Sequence, residues 1–95
     1  MPYKFKDLVT EDRLITKTKT NLVAGSDYIC ATIYFYKDYF IIESFGNAQK
    51  IKYNKELLAV ESHFGMTYMT VIFEPEIIAI TVNKKQLEIF KQLIG

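Results

Sequence analysis

The residue types that most often carry catalysis or bind metals are scarce: the chain has one cysteine, Cys30, and one histidine, His63. A zinc site needs several histidine or cysteine ligands at suitable spacing. A nucleophile needs a base or a cationic neighbour to activate it, and none lies close to Cys30 in the sequence. Cys30 stands between Ile29 and Ala31 in an apolar run, so we expect a buried free thiol. These residues predict no metal, no cofactor and no catalytic activity.

His63 leaves one enzymatic alternative open. A histidine acts as an acid or base only beside a carboxylate or a nucleophile. An enclosed polar pocket around Glu61, His63 and Tyr68 would therefore indicate a small enzyme or a ligand-carrying barrel. A single histidine beside the turn at Gly65 is more typical of a structural role, and the sequence contains no phosphate-binding glycine loop and no nucleophile elbow.

Basic residues offer a second kind of chemistry, the binding of phosphate or anionic lipid. Arg13, Lys17 and Lys19 fall on one face of a predicted strand, which makes them the candidate anion or lipid contact. The same residues could simply solvate an outer strand face and discourage edge pairing. Lys84 and Lys85 stand at the start of a predicted helix, where backbone N–H groups attract anions, but we expect no site there.

Tyrosines offer a third chemistry, contact with another protein. One face of a predicted strand over 28–36 carries three tyrosines, and a fourth follows after a tight turn. The candidate protein contact is Tyr28, Tyr34, Tyr36 and Tyr39. The opposite face holds better core residues, and exposed tyrosines bring a large contact area at little entropic cost. The alternative is that they pack at a barrel corner or under the N-terminal segment.

Composition narrows the functional class. The chain of 95 residues is 49% hydrophobic and 15% aromatic, which suffices for one core and one domain. A net charge of +1 argues against a nucleic-acid partner. A lone cysteine fits a reducing, cytoplasmic compartment. The first residues do not look like a signal peptide, and no apolar run approaches the ~18 residues of a membrane span.

Side-chain periodicity predicts the elements that hold these residues. A period of two predicts seven strands, and a period near 3.6 then predicts one helix. The predicted strands cover about 12–20, 28–36, 39–45, 49–53, 57–64, 66–73 and 77–82, and the helix about 84–94. We expect a single domain over 1–95, with an N-terminal extension over 1–11, strands over 12–82 and a capping helix over 83–94.

The predicted helix is short and one-sided. Asn83 is placed to cap it, and Gln86 stands three residues later, as in a capping box. Leu87, Phe90 and Ile94 form an apolar stripe. A helix of this length is marginal alone in water, so we expect the stripe to dock on the sheet.

Four segments in this order resemble the pleckstrin-homology-like superfamily, and most closely its GRAM and bacterial members. The segments are IYFYKDYFII (33–42), IKYNKELLAVE (51–61), IAITV (78–82) and LEIFKQLI (87–94). The resemblance implies a mainly β fold: a seven-stranded antiparallel, partly open barrel of two near-orthogonal sheets, capped by one C-terminal α-helix. It also implies a binding module, since members of the superfamily bind lipid headgroups or protein surfaces. The likeness to the bacterial members implies a bacterial origin.

These observations together predict a non-catalytic interaction module. We expect it to bind a protein partner or to associate with itself as a homo-oligomer. The alternative is a peripheral domain that contacts a membrane through anionic lipid, or binds a phosphate ligand, with Arg13, Lys17 and Lys19. A ligand-carrying barrel or small enzyme is the second alternative.

Overall fold

Alternating side chains along most of the chain build strands, and the last residues build a helix. The computed structural model describes residues 3–4, 13–73 and 76–95. Within these ranges there are eight strands, one 3₁₀ helix and the helix α1. They are β1 (Tyr3–Lys4), β2 (Thr16–Ala24), β3 (Asp27–Phe35), β4 (Tyr39–Ser44), β5 (Asn47–Lys52), the 3₁₀ helix (Lys55–Leu58), β6 (Glu61–His63), β7 (Met66–Phe73), β8 (Glu76–Val82) and α1 (Lys84–Ile94).

The strands form one antiparallel sheet. Their order is β1-β5-β4-β3-β2-β8-β7-β6, so the short strands β1 and β6 are the edges among the described pairings. The prediction of a mainly β chain with antiparallel strands and a C-terminal helix is confirmed. The described hydrogen-bonded pairs do not close the sheet.

The first long strand differs from its prediction. β2 runs over Thr16–Ala24 and pairs with β3 along its whole length, from Thr16 opposite Phe35 to Ala24 opposite Asp27. The segment 21–24, which the sequence predicted as loop, therefore belongs to the strand. The alternation simply continues there, because Leu22 is buried while the residues on either side of it are not.

The predicted strand over 57–64 is wrong in its first half. Residues Lys55–Leu58 form a 3₁₀ helix, and only Glu61–His63 form the strand β6. Leu57 is buried, and the adjacent Leu58 packs against the same core. Neighbouring side chains of a strand point to opposite faces, so two consecutive leucines reach one core only in a helical turn.

The main core lies between α1 and one face of the sheet. Phe90 has no exposed surface, and its ring meets the rings of Phe35 and Phe40 edge-on at 4.9 and 5.0 Å between centroids. The predicted capping box is confirmed: the Gln86 backbone N–H donates to Asn83 Oδ1 at 2.7 Å, and the Asn83 N–H donates to Gln86 Oε1 at 2.8 Å. The predicted docking of the helix stripe on the sheet is likewise confirmed.

A second, smaller core lies on the opposite face, over β3, β4 and β5. Tyr36, Ile41 and Ala48 are buried there, and Leu14 packs against them. This second core reaches β3 only at Tyr34. The outward side of β2, β8 and β7 and the end of β3 near Tyr28 lie outside it.

Candidate functional site: an uncovered sheet face

The outward side chains of β3, β2, β8 and β7 line up in rows across the sheet. In the central row Tyr28 lies opposite Val23, Val23 opposite Ala79, and Ala79 opposite Thr70. A second row pairs Ile72 with Ile77 near the end of the β7–β8 hairpin. Strand alternation turns all of these away from the core under α1. We name this surface the open face. It comprises Asn21, Val23, Tyr28, Cys30, Met66, Tyr68, Thr70, Ile72, Ile77, Ala79 and Thr81.

The open face is uncharged, mostly apolar and accessible. Ile77 is 73% exposed, Ile72 56%, Tyr28 47% and Met66 40%. None of the residues of the open face is buried. None of them is charged either, although 24% of the chain is. A contiguous exposed patch of this character is typical of an interaction surface rather than of a solvated face.

Tyr28 and Tyr68 meet above the middle of the open face. Their hydroxyl oxygens lie 2.6 Å apart, although Tyr28 belongs to β3 and Tyr68 to β7, with β2 and β8 between them. Both hydroxyls also lie near the Met66 sulfur, at 4.0 Å for Tyr28 and 3.7 Å for Tyr68. The hydrogen bond with Tyr28 raises the pKa of Tyr68. The pair thus adds two hydrogen-bonding hydroxyl groups to a surface that is mostly apolar.

Cys30 lies on the open face, so the expectation of a buried thiol is wrong: its side chain is exposed. The neighbours Ile29 and Ala31 are more buried and point to the core. Where a strand is apolar on both sides, the alternation alone does not show which side faces the core. In β3 the side with the isoleucines and Phe35 packs in the core, and Cys30 therefore points outward together with Tyr28.

Charged residues border the open face without entering it. Glu61 on β6 lies opposite Tyr68, and its Oε2 atom is 3.2 Å from His63 Nε2. Both side chains are well exposed, at 78% for Glu61 and 60% for His63. The structure therefore brings Glu61, His63 and Tyr68 together on an exposed edge, and not in an enclosed polar pocket.

Lys17 and Lys19 continue the outward side of β2 directly after Asn21, so these two predicted basic residues adjoin the open face, and Lys19 shares a groove with Cys30 and Met66. Arg13, Lys17 and Lys19 are all exposed, and Lys17 and Lys19 stand opposite Tyr34 and Thr32 in the β2–β3 ladder. Lys17 and Lys19 line a shallow depression of about 370 Å³. Lys19 also lines a broader groove of about 890 Å³, to which the start of α1 contributes Lys84.

The predicted tyrosine contact divides into two parts. Tyr28 lies on the open face, whereas the other three belong to the second core. Tyr36 is 1% exposed and stacks on Tyr39, with 5.0 Å between ring centroids. Tyr34 and Tyr39 are half-buried beside them. These three tyrosines therefore pack within the second core.

Sequence reasoning proposed only Tyr28 of the open face as a protein contact, and it did not single out Met66, Ile72 or Ile77. One signal was available, because β8 is almost wholly apolar and a strand has two faces. At least one apolar set must therefore point away from the core, unless both faces are covered.

Two phenylalanines near this region occupy unusual backbone positions. Phe45 and Phe64 both have φ of 51°, and each is followed by a glycine at positive φ. They form two-residue turns between β4 and β5 and between β6 and β7. Asn, Asp or Gly is favoured at such a position, yet Phe45 is 83% exposed and Phe64 is fully exposed. Phe45 and Gly65 line the broad groove described above.

Other site types are not seen in the described part of the chain. Over residues 3–4, 13–73 and 76–95, no group of three or more His, Cys, Asp or Glu side chains could hold a metal ion. No helix in these ranges is both long and apolar enough to cross a membrane. No protein-family model, curated protein or solved structure matches the chain.

Proposed function

We propose that this chain is a non-catalytic interaction module of the pleckstrin-homology-like, GRAM-like type, and that it binds protein through the open face. One observation carries the proposal: outward side chains of four adjacent strands form an exposed, mostly apolar patch that itself contains no charged residue. In the proposed family architecture the sheet bends into two near-orthogonal halves that form a partly open barrel with α1 as its cap. The antiparallel order and the docked helix support this architecture.

Large apolar side chains that remain exposed to water on the open face reduce the stability that the fold could have. Burying apolar surface gives about 25 cal/mol per Å², so large aliphatic side chains left in water forgo stabilisation that the fold could have used. Ile72 and Ile77 are cross-strand neighbours near the end of the β7–β8 hairpin, and both are exposed. A binding partner recovers that stabilisation, and the tyrosine pair supplies directional hydrogen bonds within the same contact.

The exposed thiol of Cys30 also indicates the cellular compartment in which the protein works. A free, accessible cysteine persists where the medium is reducing. We therefore place the protein in the cytoplasm, and the family resemblance adds a bacterial origin.

A phage-displayed library of random peptides, selected on the immobilised wild-type chain, tests the proposal. We expect enriched peptides to be apolar and aromatic, and to bind the Ile77→Ser variant at least tenfold more weakly. Ile15→Ser is the matched control, because Ile15 is 53% exposed but lies outside the open face. Peptides that bind the wild type and Ile77→Ser equally well would refute the proposal.

The alternative function, binding of an anionic lipid or phosphate, has one observation in its favour. Lys19 and Lys84 converge on the broad groove, where Glu43 is the one carboxylate among the described lining residues. Sedimentation with phosphatidylserine-containing vesicles at low and high salt tests this function. Recruitment at low salt that Lys17→Gln/Lys19→Gln abolishes would establish it, and the absence of recruitment at low salt would exclude it.

A further inference from the structure

We infer that the open face is occupied by a second copy of this chain, docked face to face about a twofold axis. The inference rests on the proposed function and names its partner. It follows from three properties of the open face: its lack of charge, its size and shape, and its central hydroxyl pair.

The lack of charge points to self-association. In a twofold interface the same surface is used on both copies, so a charged residue near the axis meets its own equivalent. The residues of the open face include none; charged side chains begin at its borders, with Glu61 on β6 and with Lys19 at the next outward position of β2 after Asn21. Interfaces between different, transiently associating proteins are about as polar as the remaining surface, whereas homodimer interfaces are more apolar.

The size and shape of the open face suit the centre of a dimer interface. Four strands about 4.8 Å apart span roughly 20 Å across the sheet, and their open segments are about 10 Å long on β2 and β3 and about 20 Å on β8 and β7. Two sheets pack with their backbones about 10 Å apart, a gap that side chains such as Ile72, Ile77 and Tyr28 fill from both sides. This footprint is at most about half of the roughly 800 Å² that each partner buries in a stable interface, so the dimer must also bury rim residues such as Phe64 and the Glu61–His63 edge.

The hydroxyl pair is self-complementary. Tyr28 and Tyr68 share one hydrogen bond at 2.6 Å, which uses one of their two protons. Among the described residues, the acceptor recorded for the second proton is the Met66 sulfur, a weak acceptor, at 3.7 to 4.0 Å. A second copy presents the same pair of oxygens near the axis, where each pair can donate to the other.

Sedimentation equilibrium of the wild-type chain, combined with the rate at which Cys30 reacts with a thiol reagent, tests the inference. Cys30 is the sole cysteine of the chain and lies on the open face, so it reports directly on this surface. We expect a monomer–dimer equilibrium and a thiol reaction that slows at least fivefold as the protein concentration rises through it. Ile77→Lys should weaken association at least tenfold and remove the concentration dependence, and Ile15→Lys should do neither.

Thr70→Lys, at an exposed position in the central row of the open face, gives a second disrupting variant if Ile77→Lys does not fold. A strictly monomeric wild type at millimolar concentration would overturn the inference. So would a dimer whose Cys30 reacts equally fast at all concentrations, since that dimer uses another surface. If peptides still bind through the open face of a monomer, the inference fails while the proposed function stands; if peptide binding is also independent of Ile77, both fail.

Discussion

The side chain of Gln86 ties the first turn of α1 to the backbone at Lys19: its Nε2 atom donates to the Lys19 carbonyl oxygen at 2.6 Å. The same nitrogen donates to Thr18 Oγ1 at 3.0 Å, while Oε1 completes the capping box with Asn83. Gln86 is 4% exposed. One buried amide therefore satisfies groups on both elements and fixes where the helix meets β2.

Gln86→Glu should destabilise the protein by about 2–3 kcal/mol at pH 7, because a buried carboxylate cannot donate to the Lys19 oxygen and is left facing it. This loss of stability should become smaller as the pH falls, because the protonated carboxyl group of the Gln86→Glu variant again has a hydrogen to donate. Urea denaturation at pH 7 and pH 4 measures both effects. Gln92→Glu, an exposed position on the same helix, should change stability little, and an equal loss in both variants would contradict the assigned contact.

Tyr53→Phe should cost about 1 kcal/mol near neutral pH, because the Tyr53 hydroxyl donates to the Tyr36 carbonyl oxygen at 2.7 Å. Burial, and to a lesser degree the charge of Asp38, raise the pKa of Tyr53 above its ordinary value. The unfolded chain thus releases this proton first, so its contribution to stability is complete below about pH 10 and declines above it. Denaturation midpoints should show the difference between wild type and Tyr53→Phe narrowing at pH 11. A difference that stays constant would argue against the raised pKa.

Phe64→Asn should stabilise the protein by about 1 kcal/mol, because asparagine adopts positive φ more readily than phenylalanine. No packing is lost, since the Phe64 ring is fully exposed. Thermal and urea denaturation provide the measurement. Phe64→Ala is the control: it removes the same ring but remains strained at φ of 51°. Equal stability of the two variants would show that the turn stores no such strain.

Tyr28→Phe should lower the pKa of Tyr68 towards its ordinary value, because the hydrogen bond with Tyr28 is the largest cause of the shift. A pH titration of the tyrosine ring carbon signals by NMR follows Tyr68 individually. Tyr39→Phe, which changes a tyrosine of the second core, should leave the Tyr68 titration unchanged. A Tyr68 pKa insensitive to Tyr28→Phe would mean that the two hydroxyls do not meet in solution.

Prediction from the sequence succeeded where one local rule decided the outcome. The box formed by Asn83 and Gln86 depends on side chains three residues apart, and the alternation of β7 and the stripe through Phe90 follow from strand and helix periods. It failed where neighbours in space decided. Leu57 and Leu58 form part of a 3₁₀ helix instead of the predicted strand, because both side chains pack in the same core.

By itself, then, the sequence determined that strands lead into a single capped helix, because periodicity and capping are properties of adjacent residues. Only the tertiary structure decided which apolar residues were left outside. Periodicity separates two faces of a strand, but it does not say whether another part of the chain will cover the second one. Over β4, β5 and the end of β3 near Tyr34 the second face is covered, and Tyr36 is buried there; over β7, β8 and the parts of β2 and β3 near Tyr28 it is open, and that difference leaves Tyr28, Cys30 and Ile77 at the surface.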